Sequence, residues 1–462
     1  MFFFLSLILL PMVNGFILPV TVFKFGGTSI GSPERIKRIS KIIKNEINNG
    51  KIPAVVCSAI GNTTNELINV GKNAMNGHVC ISDIVSKHEN ICTELELPGL
   101  QELDLDRMFI EIENVLFQIK KNKKITPRLK DKLSSYGELM SIRIISGYLN
   151  KIGIESKFID NIGIITDDGF GNAKILPETY SSSGINDSIR KNEYTTIIPG
   201  FIGSTSKKEI TTLGRSGSDL SASVIAKACN ASEIQFFKDV NGIMTCNPRI
   251  IKNSKSISDL TYEEASEMAN FGAEVLHPST MDPIIESNIP VRIRNSFNPS
   301  HVGTSIRNRR INDNLITSLT IKDEVDLIDI VSSKMVGTCG FLKEIFEIFD
   351  KHKISIDMIS TSEKSISLTL DLNQDQSIVK ESLNEIGNIY DIVKHQNVSI
   401  ISLISDVSKS SIVISKVFKI LEMNNVNVLM MSLGASKVNI GLVVNKKDGI
   451  FALKILHDFF FE

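Results

Sequence analysis

Val20-Thr21-Val22-Phe23-Lys24-Phe25-Gly26-Gly27-Thr28-Ser29 is an apolar strand that breaks on a lysine and two glycines. Beyond it, Ser32 caps and Pro33 starts a helix whose Ile36, Ile39, Ile43 and Ile47 form one apolar stripe, ended by Gly50. A second buried strand follows at once, from Pro53 to Cys57. Strand, loop, helix, strand in that order marks an α/β sheet with crossover helices. The loop itself suits phosphate binding, because paired glycines let the backbone approach an oxyanion and Lys24 adds a compact positive charge. It is neither a Walker loop nor a G-x-G-x-x-G turn. By itself it reads more readily as a plain strand-to-helix turn than as a catalytic loop.

The 462 residues suggest roughly three domains. Lys and Arg number 51 against 52 Asp and Glu, so no overall field recruits nucleic acid or an anionic membrane, and the expected partners are small molecules or further copies of the chain. The basic run Lys120 to Lys124 reads as a solvated loop before Pro127. Six scattered cysteines lack C-x-x-C spacing, which indicates neither a zinc site nor a disulfide framework. Met1 to Val13 is an uncharged apolar run ending in Val13-Asn14-Gly15, too short to span a membrane, and it reads either as a targeting segment or as an apolar leader to the first strand. The leader is taken as residues 1–17.

From Ile81 to Asn150 the pattern is mainly helical, and Ile162 to Ile165, Thr195 to Ile198 and Ile234 to Phe237 read as further buried strands. From Ile316 the grammar changes to short strand, helix, strand, strand units, and does so twice. One helix carries Leu342, Ile345, Phe346 and Phe349; the other carries Ile414, Val417, Phe418 and Leu421. Two tandem ferredoxin-like (βαββαβ) modules fit, at 316–394 and 396–462, after a large domain at 18–308. The modules lack catalytic polar clusters and read as ligand-binding or dimerising.

Polar clusters sit at strand ends of the large domain: Ser58-Ala59 with Thr64-Asn65, Ser135-Tyr136-Gly137-Glu138, and Gly214-Arg215-Ser216-Gly217-Ser218-Asp219. In an open α/β sheet such ends face one crevice. The last run joins a flexible backbone, a guanidinium able to grip a carboxylate at two points, and an acid at a helix start. Arg215 and Asp219 could also be a surface pair.

These segments, with Lys238-Asp239-Val240-Asn241-Gly242, Phe271 to Pro278 and Gly303-Thr304, resemble in their order the aspartate kinases of the amino-acid kinase superfamily. Gly340-Phe341-Leu342, Ser355-Ile356-Asp357, Thr361-Ser362-Glu363 and Gly434 to Lys437 are similar to the ACT modules of the same enzymes. The resemblance implies an α/β/α sandwich with an open, mostly parallel sheet followed by two ACT domains. It also implies transfer of a phosphoryl group from ATP to the side-chain carboxylate of L-aspartate, the first step toward lysine, threonine and methionine. That acceptor is ionised at neutral pH and needs no general base, only charge neutralisation and in-line positioning.

Carried over residue by residue, the resemblance makes Lys24 and Asp219 catalytic, with Asp219 orienting Lys24 or helping to organise magnesium. It puts the substrate ammonium on Glu138 and the α-carboxylate on Arg215, with Ser58, Thr64 and Ser218 completing the pocket. Lys24, Gly26, Gly27, Ser29, Lys238, Asp239, Gly242, Met244 and Arg249 would serve the nucleotide, with Mg2+ held mainly through ATP phosphates and no dedicated metal site. Met335, Thr338, Gly340, Phe341, Leu342, Ile356, Asp357 and Ser362 are similar to a lysine effector pocket, where amides after Gly340 hold a carboxylate and Asp357 an ammonium. A homodimer or homotetramer through the ACT modules is expected.

Departures from the family pattern are Leu139, Ser216, Met244 and above all Glu274, where many members carry lysine. Glu274 and Met244 keep open a catalytically weak amino-acid sensor; another amino-acid kinase acting on a related carboxylate is a further alternative. His277 reads as fixing a turn before Pro278. A fused homoserine dehydrogenase is not expected, since the chain ends at Glu462 with no dinucleotide fingerprint. The body is most similar to plastid-type, lysine-sensitive plant enzymes, which with the apolar leader points to a plastid, otherwise the cytoplasm.

Overall fold

The computed structural model describes residues 12–13, 16–17, 19–181, 184–190, 194–271, 276–309, 314–331, 340–434 and 436–462. Glu274, Met335 and Thr338 lie outside the described residues. Two compact units result. The first takes in the described residues up to Ile243 and from Leu276 to Arg309; the second takes in Met244 to Phe271 and Asn314 onward. The stretch from Met244 to Phe271, read from the sequence as part of the large domain, thus groups with the C-terminal modules.

In the first unit, strand β1 (Val20–Phe25) is followed by helix α1 (Pro33–Asn48) and β2 (Ile52–Cys57). The Ser32 hydroxyl accepts from the Arg35 N–H, and Pro33 occupies the first turn, where its missing N–H costs nothing. Of the apolar stripe, Ile36, Ile39 and Ile43 are fully buried against the sheet and Ile47 partly so. Helix α2 (Thr63–Met75) and the helices Ser82–Glu94 and Leu105–Asn122 lead to the long α3 (Pro127–Lys151). The basic run at Lys120 ends the second of these helices, where lysines complement the helix dipole. After α3 come β3 (Ser156–Phe158), β4 (Thr195–Pro199), helix α4 (Gly217–Ala228) and β5 (Glu233–Lys238). Strands β6 (Val291–Asn295) and β7 (Thr304–Arg307) close the unit.

These strands run in the order β7-β6-β5-β1-β2-β4-β3, parallel throughout except for the antiparallel β6–β7 pair. Register places Lys24 beside Val56 on one neighbour and Phe236 on the other, so the carboxyl ends of β1, β2 and β5 finish together. The expected strand at Ile162 to Ile165 does not form; single bridges join Ile165 to Ser204 and Thr166 to Ile175. The Thr179 hydroxyl instead accepts from the Ile165 N–H and donates to its carbonyl, satisfying the backbone without a ladder.

The second unit is built on one six-stranded antiparallel sheet rather than two separate ones. Its strands are β8 (Ile316–Val331), β9 (Ile359–Thr361), β10 (Ser365–Asp371), β11 (Asp391–Ser405), β12 (Val428–Ser432) and β13 (Asn439–Asn445), in the order β9-β10-β8-β11-β13-β12. Helices α5 (Phe341–Lys351), α6 (Gln376–Gly387), α7 (Ser410–Met423) and α8 (Lys446–Phe461) cover it. Strands β8 and β11 each serve both modules. The first half of β8 packs Ile316 and Leu319 with α7 and α8, whereas its second half packs Ile328 and Ile330 with α5 and α6. Register shifts between Lys322 and Val325, with Glu324 left-handed at φ 59°, mark the change. The strand that completes the second βαββαβ module therefore comes from the start of the first, which a linear reading of repeats does not show.

Candidate active site

The cleft at the carboxyl ends of β1, β2 and β4 has a volume of about 280 Å³. Lys24 closes one side, at the end of β1. Facing it is the first turn of α4, which supplies Ser218 and Asp219. Lys24 Nζ lies 2.6 Å from Asp219 Oδ1, with the two side chains 11% and 10% exposed, so this is a buried ion pair. Lys238, at the end of the adjacent strand β5, places its Nζ 3.8 Å from the other oxygen, Asp219 Oδ2. Burial pushes the Asp219 carboxyl up, but Lys24 and Lys238 together outweigh it and hold the group below its ordinary value. Burial also lowers the Lys238 ammonium, opposed mainly by Asp219.

Glu138 supplies the opposite chemistry. From Leu133 to Ser146 every residue of α3 is buried, and the small side chains of Ser134, Ser135, Gly137 and Ser141 let the helix press into the unit. A Cβ on Gly137 would stand 2.8 Å from the Ala59 Cβ, so only glycine lets α3 reach the 58–64 loop. Glu138 is thereby carried into the cleft, where Oε2 has no hydrogen-bond partner. Burial drives its carboxyl up to about 8, against the backbone N–H of Ala59 and the charge of Lys24.

Gly27 makes the loop possible. A Cβ there would meet the Gly61 carbonyl oxygen at 2.7 Å and that of Ala59 at 2.9 Å. Gly27→Ala should push the two loops apart and cost about 1–3 kcal/mol, read as a lower denaturant midpoint. Lys87 fixes the facing loop, donating from Nζ to the Ile60 carbonyl, Thr63 Oγ1 and the Glu66 carboxylate.

Residues 19–295 match the model of the amino acid kinase family, and residues 328–380 and 401–460 that of an ACT domain. Aspartokinase 2, chloroplastic, of Arabidopsis thaliana is 41% identical, over 96% of this chain and 84% of its own length. The lysine-sensitive aspartokinase 3 of Escherichia coli is 33% identical, over 96% and 99%. The chain belongs to the aspartokinases. Among solved structures, E. coli aspartokinase III in complex with aspartate and ADP superposes with a TM-score of 0.77 at 32% identity, covering 96% of this chain and 100% of that one.

Against the aspartokinase pattern, the structure brings Lys24, Gly27, Ser58, Thr64, Glu138, Ser218 and Asp219 together around one cleft. Ala59, Gly61, Phe201, Gly214, Ser216 and Gly217 also line it and were not among the expected ligands. Phe201 was findable, since Pro199-Gly200-Phe201 follows the β4 strand end. Gly26 caps the short 3-10 turn Gly27–Ile30. Ser29 is placed otherwise than a phosphate ligand would be: its hydroxyl donates to the Phe237 carbonyl and accepts from Ser296 Oγ at 2.9 Å. Arg215 is exposed and lines a neighbouring cavity of about 580 Å³ with Lys174, Lys227 and His277.

His277 caps the helix Pro278–Ser287, accepting from the Ser279 N–H. Asp239 is exposed, and Gly242 is buried where the Ile243 N–H bonds Thr304 Oγ1 at 2.8 Å. Asn241 is held by Asn295 Nδ2 at 2.9 Å. Met244 and Arg249 belong to the second unit, where Met244 bridges Ser256 and Arg249 is exposed. Also there, Gly340 precedes α5 in a left-handed conformation, Phe341 and Leu342 open that helix, and Ser362 Oγ accepts from the Ser365 N–H. Asp357 is ion-paired with Lys322 at 2.9 Å and lines a cavity with Ile356. Among the described residues no group of three or more His, Cys, Asp and Glu could hold a metal ion, and no helix is long and apolar enough to cross a membrane.

Proposed function

We propose that this chain transfers the γ-phosphoryl group of ATP to the side-chain carboxylate of L-aspartate, giving 4-phospho-L-aspartate and ADP. The observation that carries this reading is the convergence of Lys24 and Lys238 on one buried carboxylate, opposite a buried Glu138 whose Oε2 has no hydrogen-bond partner. A carboxylate oxygen of aspartate forms the new bond to phosphorus as the bond to the β–γ bridging oxygen breaks and ADP leaves. Both reactants are anions, so the site must neutralise charge and hold them in line. Lys24, oriented by Asp219, stabilises the charge of the transferring group; Lys238 and the backbone of Gly26 and Gly27 serve the phosphates, with Asp239 and Gly242 on the nucleotide side. Because Asp219 is committed to two lysines, Mg2+ would be held mainly by the ATP phosphates and would supply charge neutralisation there.

Glu138 takes the substrate ammonium, and Ser58, Thr64 and Ser218 complete the pocket. Arg215 reaches the α-carboxylate by turning from the neighbouring cavity into the cleft about the Gly214-Ser216 turn. The pH dependence follows from Glu138. With its carboxyl near 8 in the empty site, the group is mostly protonated at pH 7, and binding an ammonium requires it to lose that proton. The KM for aspartate should fall as pH rises from 6.5 to 8, by up to about tenfold per unit. Glu138→Gln should flatten that profile; an unchanged slope would remove Glu138 from the ammonium site.

The effector set of the second unit, Gly340, Phe341, Leu342, Ile356, Asp357 and Ser362, with Met335 and Thr338, takes lysine as a feedback inhibitor. The name of the E. coli relative supports this, and so does Asp357, whose pairing with Lys322 can be exchanged for a ligand ammonium. Exposed Leu342, Ile412, Phe418 and Phe451 suit a dimer made through the modules. The chloroplastic relatives support a plastid location. ADP release measured with ATP, magnesium and L-aspartate, with and without lysine, tests the whole reading: no aspartate-dependent release sinks the kinase, and indifference to millimolar lysine sinks the inhibition.

A further inference from the structure

Asp131 stands in α3, seven residues before Glu138, and is only 1% exposed. Seven residues are two helical turns, so the two acids share one face of the helix. Three neutral donors hold the Asp131 carboxylate. The N–H groups of Gly171 and Thr212 each donate to Oδ2 at 2.8 Å, and the Thr212 hydroxyl donates to Oδ1 at 2.9 Å. Burying a carboxylate is costly, but this place offers only donors, and an asparagine would turn its own N–H groups against one of them.

What Asp131 grips is the base of the Gly214 to Asp219 turn. Thr212 ends the short strand Ile210–Thr212, and its carbonyl accepts from the Ala173 N–H at 3.0 Å. Between Gly171 and Ala173, Asn172 packs on Gly214, where a Cβ would run into its side-chain amide. Beyond this base the turn presents residues both ways: Ser218 and Asp219 line the cleft, whereas Arg215 lines the neighbouring cavity. Such a turn keeps its register with Glu138 only if its base is fixed to the helix that carries Glu138. We propose that Asp131 is a positioning residue for the aspartate pocket, setting the span between the group that takes the substrate ammonium and those that take its α-carboxylate. The inference rests on the kinase reading, in which Glu138 and Arg215 grip those two ends. A rigid zwitterion meets both ends at once only when the span between them is right.

The test is steady-state ADP release by the full chain, below the melting temperature of each variant, with the KM for aspartate and the KM for ATP read separately. Asp131→Asn should raise the KM for aspartate about tenfold and keep that for ATP within about twofold, because Lys24, Gly27 and Lys238 stand on other elements. Thr212→Val, which loses only the hydroxyl donor, should shift the KM for aspartate in the same direction by less. Thr212→Ser, which keeps that donor, should behave as the wild type. Ile112→Val trims a fully buried side chain in the helix Leu105–Asn122 and should leave both KM values in place. If a thermal melt shows that Asp131→Asn does not fold, the contrast between Thr212→Val and Thr212→Ser decides. An unmoved KM for aspartate in folded Asp131→Asn, an equal rise for ATP, or the same rise in Ile112→Val overturns the proposal. A wild type that releases no ADP with aspartate sinks the kinase reading and this inference together; an active wild type with unmoved variants sinks this inference alone.

Discussion

Lys24→Ala is expected to lower kcat by about a thousandfold while the KM for aspartate moves only a few-fold, as measured by steady-state ADP release. In the proposed site the handles for ground-state aspartate are Glu138, Arg215, Ser58, Thr64 and Ser218, all of which remain. What the variant lacks is the positive charge at the end of β1, which in the proposed reaction meets the charge that develops on the transferring phosphoryl group. The change also leaves Asp219 buried with Lys238 at 3.8 Å as its remaining cation. Some stability is therefore lost as well, and the comparison has to be made below the variant's melting temperature. Lys24→Arg should not restore the rate, because a planar guanidinium cannot occupy the place of a compact ammonium 2.6 Å from Oδ1, packed against Gly26, without displacing its neighbours. A raised KM with kcat intact would assign Lys24 to binding alone and sink the claim.

The sheet was legible because its strands are continuous apolar runs and its first helix carries both a capping serine and a proline start. Those signals are local. The cleft was legible because strand ends in an open α/β sheet converge, so Lys24, Ser58 and Lys238 had to finish near one another. Side-chain direction was not legible. Ser29 sits at the right place in the chain, yet its hydroxyl is used by the Phe237 carbonyl and Ser296, partners more than two hundred residues away. Arg215 stands four residues from Asp219, but one faces outward and the other inward, because Ser216 is left-handed at φ 57° and turns the chain between them. The shared strands β8 and β11 were hidden for a related reason: a repeat read along the chain supposes that each module uses its own strands, and pairing across the sheet is free to do otherwise.

Asp219→Asn should lower folding stability at pH 7 by about 3 kcal/mol and reduce turnover with it. The carboxylate sits between the buried Lys24 ammonium and the half-buried Lys238 ammonium, and an amide removes the negative charge that both of them face. The sign of the pH effect is fixed by the direction of the shift. The native Asp219 carboxyl titrates below its ordinary value of 3.8, because Lys24 and Lys238 outweigh the burial that pushes it up. Its contribution is therefore fully present above that value and is lost as pH falls through the lower native one. Denaturation midpoints of wild type and variant should differ at pH 7 and converge in acid; a gap that persists at pH 2, or none at pH 7, would show that the charge of Asp219 is not what matters. Nucleotide provides the second reading. In the proposed site ATP brings phosphates to Lys24 and Lys238, the negative charge that the variant lacks, so ATP should raise the melting temperature of Asp219→Asn by more than it raises that of the wild type. An equal rise in both proteins would mean that the phosphates do not reach these lysines.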